Sequence, residues 1–183
     1  ITSCSTDDVE DRPVIEAIDA PVLVSPTNGA IYNLSVENKS SLAERFVWSE
    51  ADFGGDVEIN YAVQMDIAGN EFANPVELGS VNSENQLAVS VETLNDAALS
   101  LGAEPFAAVP YEVRVKASVG AMEMLSNSTP ITVSAYTTEA PKVYVVGSFL
   151  SDSGYGDNWT PANAVALAAA GFGETNFEGF VNI

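Results

Sequence analysis

The sequence predicts an all-β protein, in which a sandwich of the immunoglobulin or fibronectin type is followed by the beginning of a second β-sandwich domain. The first observation is the strict alternation of apolar and polar residues in INYAVQMDI, at 59–67, and in YEVRVKASV, at 111–119. Alternation of this length is typical of antiparallel strands with one buried and one solvated face. The second observation is that glycine, proline and asparagine mark turns between several short apolar runs.

The two alternating runs predict which residues face the core. These residues are Ile59, Tyr61, Val63, Met65, Ile67, Tyr111, Val113, Val115, Ala117 and Val119. Residues between them, such as Asn60, Gln64 and Asp66, are expected to face solvent. Shorter runs predict four further strands: APVLVSP at 20–26, RFVWS at 45–49, LAVSV at 87–91 and ITVSAY at 131–136. Phe46 and Trp48 share the inward face of RFVWS, and we expect Trp48 in the core, where such a sandwich places a tryptophan.

One short helix is predicted between the strands, in TLNDAALSLG at 93–102. Thr93 is placed to cap its start and Gly102 to end it. Its apolar face is formed by Leu94, Ala97, Ala98 and Leu101. We expect the helix to cross from one sheet to the other.

Composition divides the chain into three parts. Residues 1–20 carry six carboxylates and one arginine, a local net charge of −5, and are expected to form a disordered tether. The first domain is predicted over 21–137, followed by the linker YTTEAPK at 136–142. The third part, 142–183, has two predicted strands, in VYVVGSF and FEGFVNI. Two strands alone are marginally stable in water, so we expect an incomplete second domain or a segment that docks on a partner.

Charge and composition exclude several functions. The chain has 26 acidic and 6 basic residues, a formal net charge of −20, which repels nucleic acid and anionic head groups. It has no histidine, the commonest general base. No run approaches the 18 or more apolar residues of a membrane-spanning helix. One cysteine forms neither an internal disulfide nor a zinc site, and we expect no cofactor.

One long stretch carries a family resemblance. Residues 46–80 combine the strand FVWS, the turn ADFG, the strand YAVQMD and the sequence GNEFANPVEL. This combination resembles the N-terminal domain of the SusE/SusF family, outer-membrane lipoproteins of Bacteroidetes that bind starch and related glycans. VYVVGS, NWTPANAVAL and FEGFVNI look like the opening of the carbohydrate-binding β-domain that follows in this family. The resemblance implies a non-catalytic protein at the cell surface that works with a SusC/SusD-type transporter.

The resemblance extends to the only cysteine, Cys4. ITSC resembles the end of a bacterial lipobox, in which a small residue precedes the cysteine that is acylated. On this reading residues 1–3 belong to the signal peptide. The acidic residues after Cys4 resemble the export signal that directs such lipoproteins to the cell surface. The competing interpretation is an unmodified thiol on a flexible terminus, which is reactive outside the cytoplasm.

The candidate sugar site lies in SGYGDNWTPAN, at 153–163. Sugar recognition uses a flat aromatic ring against the C–H face of a pyranose, with carboxylates or amides for its hydroxyl groups. The candidate residues are Tyr155, Asp157, Asn158, Trp159 and Asn163. The alternative is that Trp159 packs in the core. Calcium binding by the acidic loop at 151–158 is disfavoured, because its spacing differs from an EF-hand loop.

The sequence suggests three alternative functions. The first is a surface lipoprotein that binds polysaccharide and passes it to an import complex. The second is a structural accessory subunit of a transporter without sugar affinity. Exposure of Trp159 and Tyr155 favours the first, and burial of both favours the second. The third, a glycosidase, needs two carboxylates about 5–10 Å apart in a cleft, and solvated alternating strands offer no evident cleft.

Overall fold

The computed structural model describes residues 14–180, so Cys4 and the other residues of 1–13 and 181–183 lie outside the description. The chain divides into two compact units, Ile1–Tyr136 and Thr137–Ile183, which we call unit 1 and unit 2. The prediction of an all-β fold is confirmed.

The described part of unit 1 contains nine strands and one α-helix. They are β1 (Leu23–Ser25), β2 (Ala30–Asn33), β3 (Leu42–Trp48), β4 (Asn60–Ile67), β5 (Val76–Asn82), β6 (Gln86–Ser90), α1 (Val91–Ser100), β7 (Ala108–Val119), β8 (Met122–Leu125) and β9 (Thr129–Ser134). The smaller sheet has the order β1-β3-β6. The larger sheet has the order β2-β9-β7-β4-β5, with β8 paired to β7. All neighbours are antiparallel except β2 and β9, which are parallel.

The core of unit 1 lies between these sheets and is closed by α1. The alternating runs became β4 and β7, which pair over eight residues from Asn60–Ser118 to Ile67–Tyr111. Trp48 is buried as predicted, and its ring lies 5.5 Å from that of Tyr61, measured between centroids. Phe46, also predicted inward, is fully buried. Such tilted aromatic pairs stabilise a fold by more than the buried apolar area alone contributes.

Two predicted orientations on β4 are wrong. Ile67 is 40% exposed, because it is the last residue of the strand, where the sandwich ends. Asp66 is only 1% exposed, although alternation places it on the solvent face. The loop that follows β4 folds over Asp66, and Asn70 and Asn74 donate hydrogen bonds to its carboxylate.

With Thr93 as N-cap, helix α1 would begin at Leu94. It begins three residues earlier, at Val91. Ser90 is the N-cap, and its Oγ accepts a hydrogen bond of 3.1 Å from the Thr93 N–H. The predicted buried face is confirmed for Leu94, Ala97 and Ala98. Leu101 is partly buried and packs against the core.

The last residues of the predicted disordered tether, 14–20, are ordered and contact unit 1. Residues 14–20 are described, and their backbone is bound to unit 1: the Glu16 N–H donates to the Phe53 carbonyl and the Ile18 N–H to the Asp52 carbonyl. Asp19 and Asp52 form an isolated antiparallel bridge. Acidic composition predicts solvation, but apolar Ile15 and Ile18 in this segment give it contacts with the domain.

Unit 2 is a three-stranded antiparallel sheet with the order β10-β11-β12. The strands are β10 (Lys142–Val145), β11 (Val165–Ala169) and β12 (Phe177–Glu178). The sequence predicted two strands in this part of the chain and no strand between them, where β11 lies. Its residues 165–168 pair with β10, and Ala168 and Ala169 pair with β12. Within the described part of unit 2, the buried hydrophobic residues are Leu150 and Ala169.

Candidate functional site

The candidate site is the connection between β10 and β11, residues 147–163, which we call the tryptophan loop. Leu150, which belongs to this loop, is fully buried. Backbone hydrogen bonds close the loop over Leu150: the Ser153 N–H donates to the Phe149 carbonyl at 3.0 Å, and the Tyr155 N–H donates to the Leu150 carbonyl at 2.9 Å. The loop therefore has a defined shape that can hold side chains in fixed positions.

Trp159 is displayed by this loop. Its side chain is 68% exposed, so it does not pack in a core. Its backbone has φ 57°, in the left-handed region, which is an outlier for a bulky residue. Such a conformation costs on the order of 1–3 kcal/mol and is commonest at functional sites. The Trp159 N–H donates to the Gly147 carbonyl at 3.3 Å and so fixes this geometry.

The remaining candidate residues divide into two groups. Tyr155 is 37% exposed and Asp157 is exposed, so both reach the surface. Asn158 instead supports the loop, since its Oδ1 accepts a hydrogen bond of 2.8 Å from the Ser151 N–H. The Asn163 Nδ2 donates to the Asp157 carbonyl at 3.4 Å. Asn158 and Asn163, two of the five predicted residues, thus use their side-chain amides for hydrogen bonds within the loop.

Sequence analysis did not identify the glycine that makes this packing possible. Gly156 lies so close to the Asn163 amide that a Cβ built on it would be 2.4 Å from Nδ2. Its φ of 119° also disfavours any other residue. In the sequence, the pair of glycines around Tyr155 indicates a loop but does not show which side chain packs against Gly156.

The electrostatics of the loop disfavour a polyanionic ligand. Between residues 143 and 180 the chain has four carboxylates, on Asp152, Asp157, Glu174 and Glu178, and no lysine or arginine. A polyanion would meet like charges here without a cation to pair with. The exposed indole of Trp159 and the exposed carboxylate of Asp157, two residues apart in sequence, suit a ligand with one apolar face and hydroxyl groups at its edge.

A second concave surface lies in unit 1. The cleft has a volume of about 390 Å³ and is lined by the carboxylates of Asp19, Glu50, Asp52 and Asp56 together with Phe53. The described residues form no group of three or more histidine, cysteine or acidic side chains placed to hold a metal ion. In the same part of the chain, no helix is long and apolar enough to cross a membrane.

Comparison with known proteins gives one match. The family model described as "SusE outer membrane protein" matches residues 8–116, which are 109 of the 183 residues. The match covers β1 to β6, α1 and most of β7. No curated protein and no solved structure matches the chain.

Proposed function

Because the chain belongs to the SusE outer membrane protein family, we propose that it is a non-catalytic lipoprotein of the cell surface that binds a starch-like polysaccharide and assists its uptake with a SusC/SusD-type complex. Membership of the family makes it an outer membrane protein of the Sus system, and this family is a non-enzymatic component. Binding of glycan, acylation of Cys4 and partnership with the transporter are the proposed parts.

One observation carries the sugar-binding proposal: Trp159 is exposed and held by a strained backbone. An indole left in water gains nothing from folding, and a left-handed tryptophan costs energy, so a packing role does not explain it. A pyranose ring stacking on the indole would bury apolar area on both partners. Asp157 and the Tyr155 hydroxyl would accept or donate hydrogen bonds at its edge.

Substitution of Trp159 tests this proposal. We expect Trp159→Ala to weaken binding of soluble amylopectin by roughly tenfold, equal to about 1.4 kcal/mol, in isothermal titration calorimetry. The matched control is Tyr144→Ala, which removes another exposed aromatic side chain (66%) of unit 2, on β10. Undiminished affinity of the Trp159 variant would contradict the assignment of the site, and absence of binding by the unaltered protein would contradict sugar binding by this chain.

The second candidate function is a structural accessory subunit of the transporter complex without sugar affinity. It is favoured by Asn158 and Asn163, whose amides serve the loop itself and leave fewer polar groups for a ligand. Calorimetry with amylopectin on the protein purified from native membranes distinguishes the two functions. A structural subunit would copurify with the transporter and show no heat of binding with amylopectin.

A further inference from the structure

The N-terminal segment, residues 14–19, lies along the turn of residues 50–57, which connects β3 to β4 and which we call the docking turn. Four backbone hydrogen bonds join them, one of which runs from the Asp19 N–H to the Asp52 carbonyl at 3.2 Å. The Glu16 N–H donates to the Phe53 carbonyl at 3.1 Å and the Ile18 N–H to the Asp52 carbonyl at 2.9 Å. The Asp52 N–H returns a bond of 2.8 Å to the Asp19 carbonyl. The segment therefore adds a short extended stretch to the turn.

The docking turn is shaped to accept this segment. A Cβ built on Gly54 would be 3.0 Å from the Val14 carbonyl oxygen and 3.3 Å from Ile18 Cδ1. The Gly54 N–H is held by Asp52 Oδ1 at 2.8 Å, with Gly54 at φ 78°. Ile15 adds an apolar contact, since it packs against the core of unit 1. Backbone bonds, an apolar anchor and a glycine required by close approach all point to a specific contact.

The docking turn lies at one end of unit 1, and the chain leaves this unit at the other end. Asn60, just after the turn, pairs with Ser118 near the end of β7. Ala108, at the start of β7, pairs with Ser134 at the end of β9, and the chain leaves unit 1 two residues later. Ala108 and Ser118 are ten residues apart along β7, which is about 33 Å at 3.3 Å per residue.

We propose that the docking turn holds the N-terminal segment so that a fixed end of unit 1 faces the membrane. The inference rests on the proposed anchor at Cys4. From Cys4 to Val14 there are ten residues, which span at most about 35 Å, whereas the sixteen residues from Cys4 to Ala20 could span about 55 Å. The tether leaves unit 1 at the end opposite to the exit of the chain towards unit 2, and docking shortens it there and holds it close to this end.

Hydrogen exchange in solution tests the docking itself. We expect Ile15→Ser to speed exchange of the Ile18 and Asp52 amides by at least tenfold, while amides within β4 and β7 stay protected. The matched control is Val14→Ser, at a neighbouring side chain that is 69% exposed, which should leave these rates unchanged. Should Ile15→Ser fail to fold, Ile18→Ser removes the contact with Gly54 from a half-exposed position. Unchanged rates in the folded variants overturn the proposal.

Orientation is tested on vesicles to which the full chain is coupled through the thiol of Cys4 by maleimide-bearing lipid. A fluorophore on an encoded azido residue replaces Ala121, in the turn after β7 at the same end of unit 1 as the docking turn, or Glu104, at the opposite end; both positions are exposed. Energy transfer to acceptor lipids should be stronger from position 121 than from 104, and Ile15→Ser should reduce the difference, because it lengthens the free tether. Equal transfer, or stronger transfer from 104, in the unaltered chain overturns the proposal.

This coupling separates the inference from the proposed function. Attachment through maleimide does not require natural acylation, so the vesicle result reports on the docking turn alone. Acylation of Cys4 is read separately, from the mass of protein taken from native membranes.

Discussion

Asp66 shows how a single residue can depart from the pattern of its strand. Its carboxylate accepts hydrogen bonds from the Ile67 N–H at 2.7 Å, the Asn74 N–H at 3.1 Å and the Asn70 amide at 3.0 and 3.1 Å. Burial raises the pKa of Asp66, but these hydrogen bonds and the charge of Arg114 outweigh burial and lower it below its ordinary value of 3.8. Asp66 thus organises the loop between β4 and β5 as a charged group.

Substitution of Asp66 has a pH-dependent consequence. Since the pKa is lower in the folded state, the ionised carboxylate contributes stability above the unfolded pKa of about 3.9, and this contribution is lost as the pH falls through the folded pKa. We expect Asp66→Asn to lower the free energy of unfolding by roughly 1–3 kcal/mol at pH 7, and by less at pH 3. Urea unfolding at both pH values measures this.

The control for Asp66 is Asp56→Asn, which changes the same group at an exposed position. It should change stability little at either pH. A loss for Asp66→Asn that is as large at pH 3 as at pH 7 would show that loop packing, and not the charge, is responsible.

At the scale of elements, strand β1 depends on a side chain distant in sequence. Its first residue, Leu23, donates its N–H to Asn127 Oδ1 at 2.9 Å and accepts from Asn127 Nδ2 at 3.3 Å through its carbonyl. The amide of Asn127 thereby takes the place of a neighbouring strand at the edge of the smaller sheet. Covered edges are protected against pairing with other chains.

Removal of this amide should weaken β1 specifically. We expect Asn127→Ala to lower the free energy of unfolding by about 1–2 kcal/mol, because two hydrogen bonds are lost, and to speed hydrogen exchange at the Leu23 amide. Thermal unfolding and exchange measured by NMR test this. Asn28→Ala, at an exposed turn residue near β1, serves as the control, and an equal effect of both variants would argue against a role for the edge contact.

A strand could be predicted from the sequence when its own residues alternate between apolar and polar. Strands β4 and β7 are long and alternate, so their existence and most of their buried positions follow from sequence alone, with Asp66 and Ile67 as the exceptions. Strand β2 has four residues and exists through parallel pairing with β9, a contact between distant segments. Strand β11 reads VALAA, a run of small apolar residues that does not distinguish strand from loop. Pairing, which local sequence does not encode, decides such elements.

The sequence indicated which residue types form the candidate site but not their geometry. The types and spacing of Tyr155 and Trp159 indicated a sugar-binding loop. Exposure of Trp159 and the support given by Asn158 depend on backbone contacts around buried Leu150, which composition does not reveal. The assignment of sugar binding to these residues stays a prediction.

At the scale of the whole molecule, the family match and the docked N-terminal segment both bear on how the protein is held at the outer membrane. The net charge of −20 makes adsorption to anionic lipid unfavourable, so retention at the membrane needs another source. Acyl chains on Cys4 would supply it, at about 0.8 kcal/mol for each buried methylene. Two or more chains give stable attachment, whereas one chain binds reversibly.

Intact mass spectrometry of protein purified from native membranes tests this attachment. We expect a chain that begins at Cys4 and carries the mass of its acyl groups, because the proposed lipobox places cleavage before this residue. Cys4→Ser should leave the protein without acyl groups and move it out of the membrane fraction, while Ser5→Ala, at the neighbouring position, should change neither. An unmodified chain that retains residues 1–3 would contradict the lipoprotein proposal. Family membership and the docking turn would then stand without an anchor at Cys4.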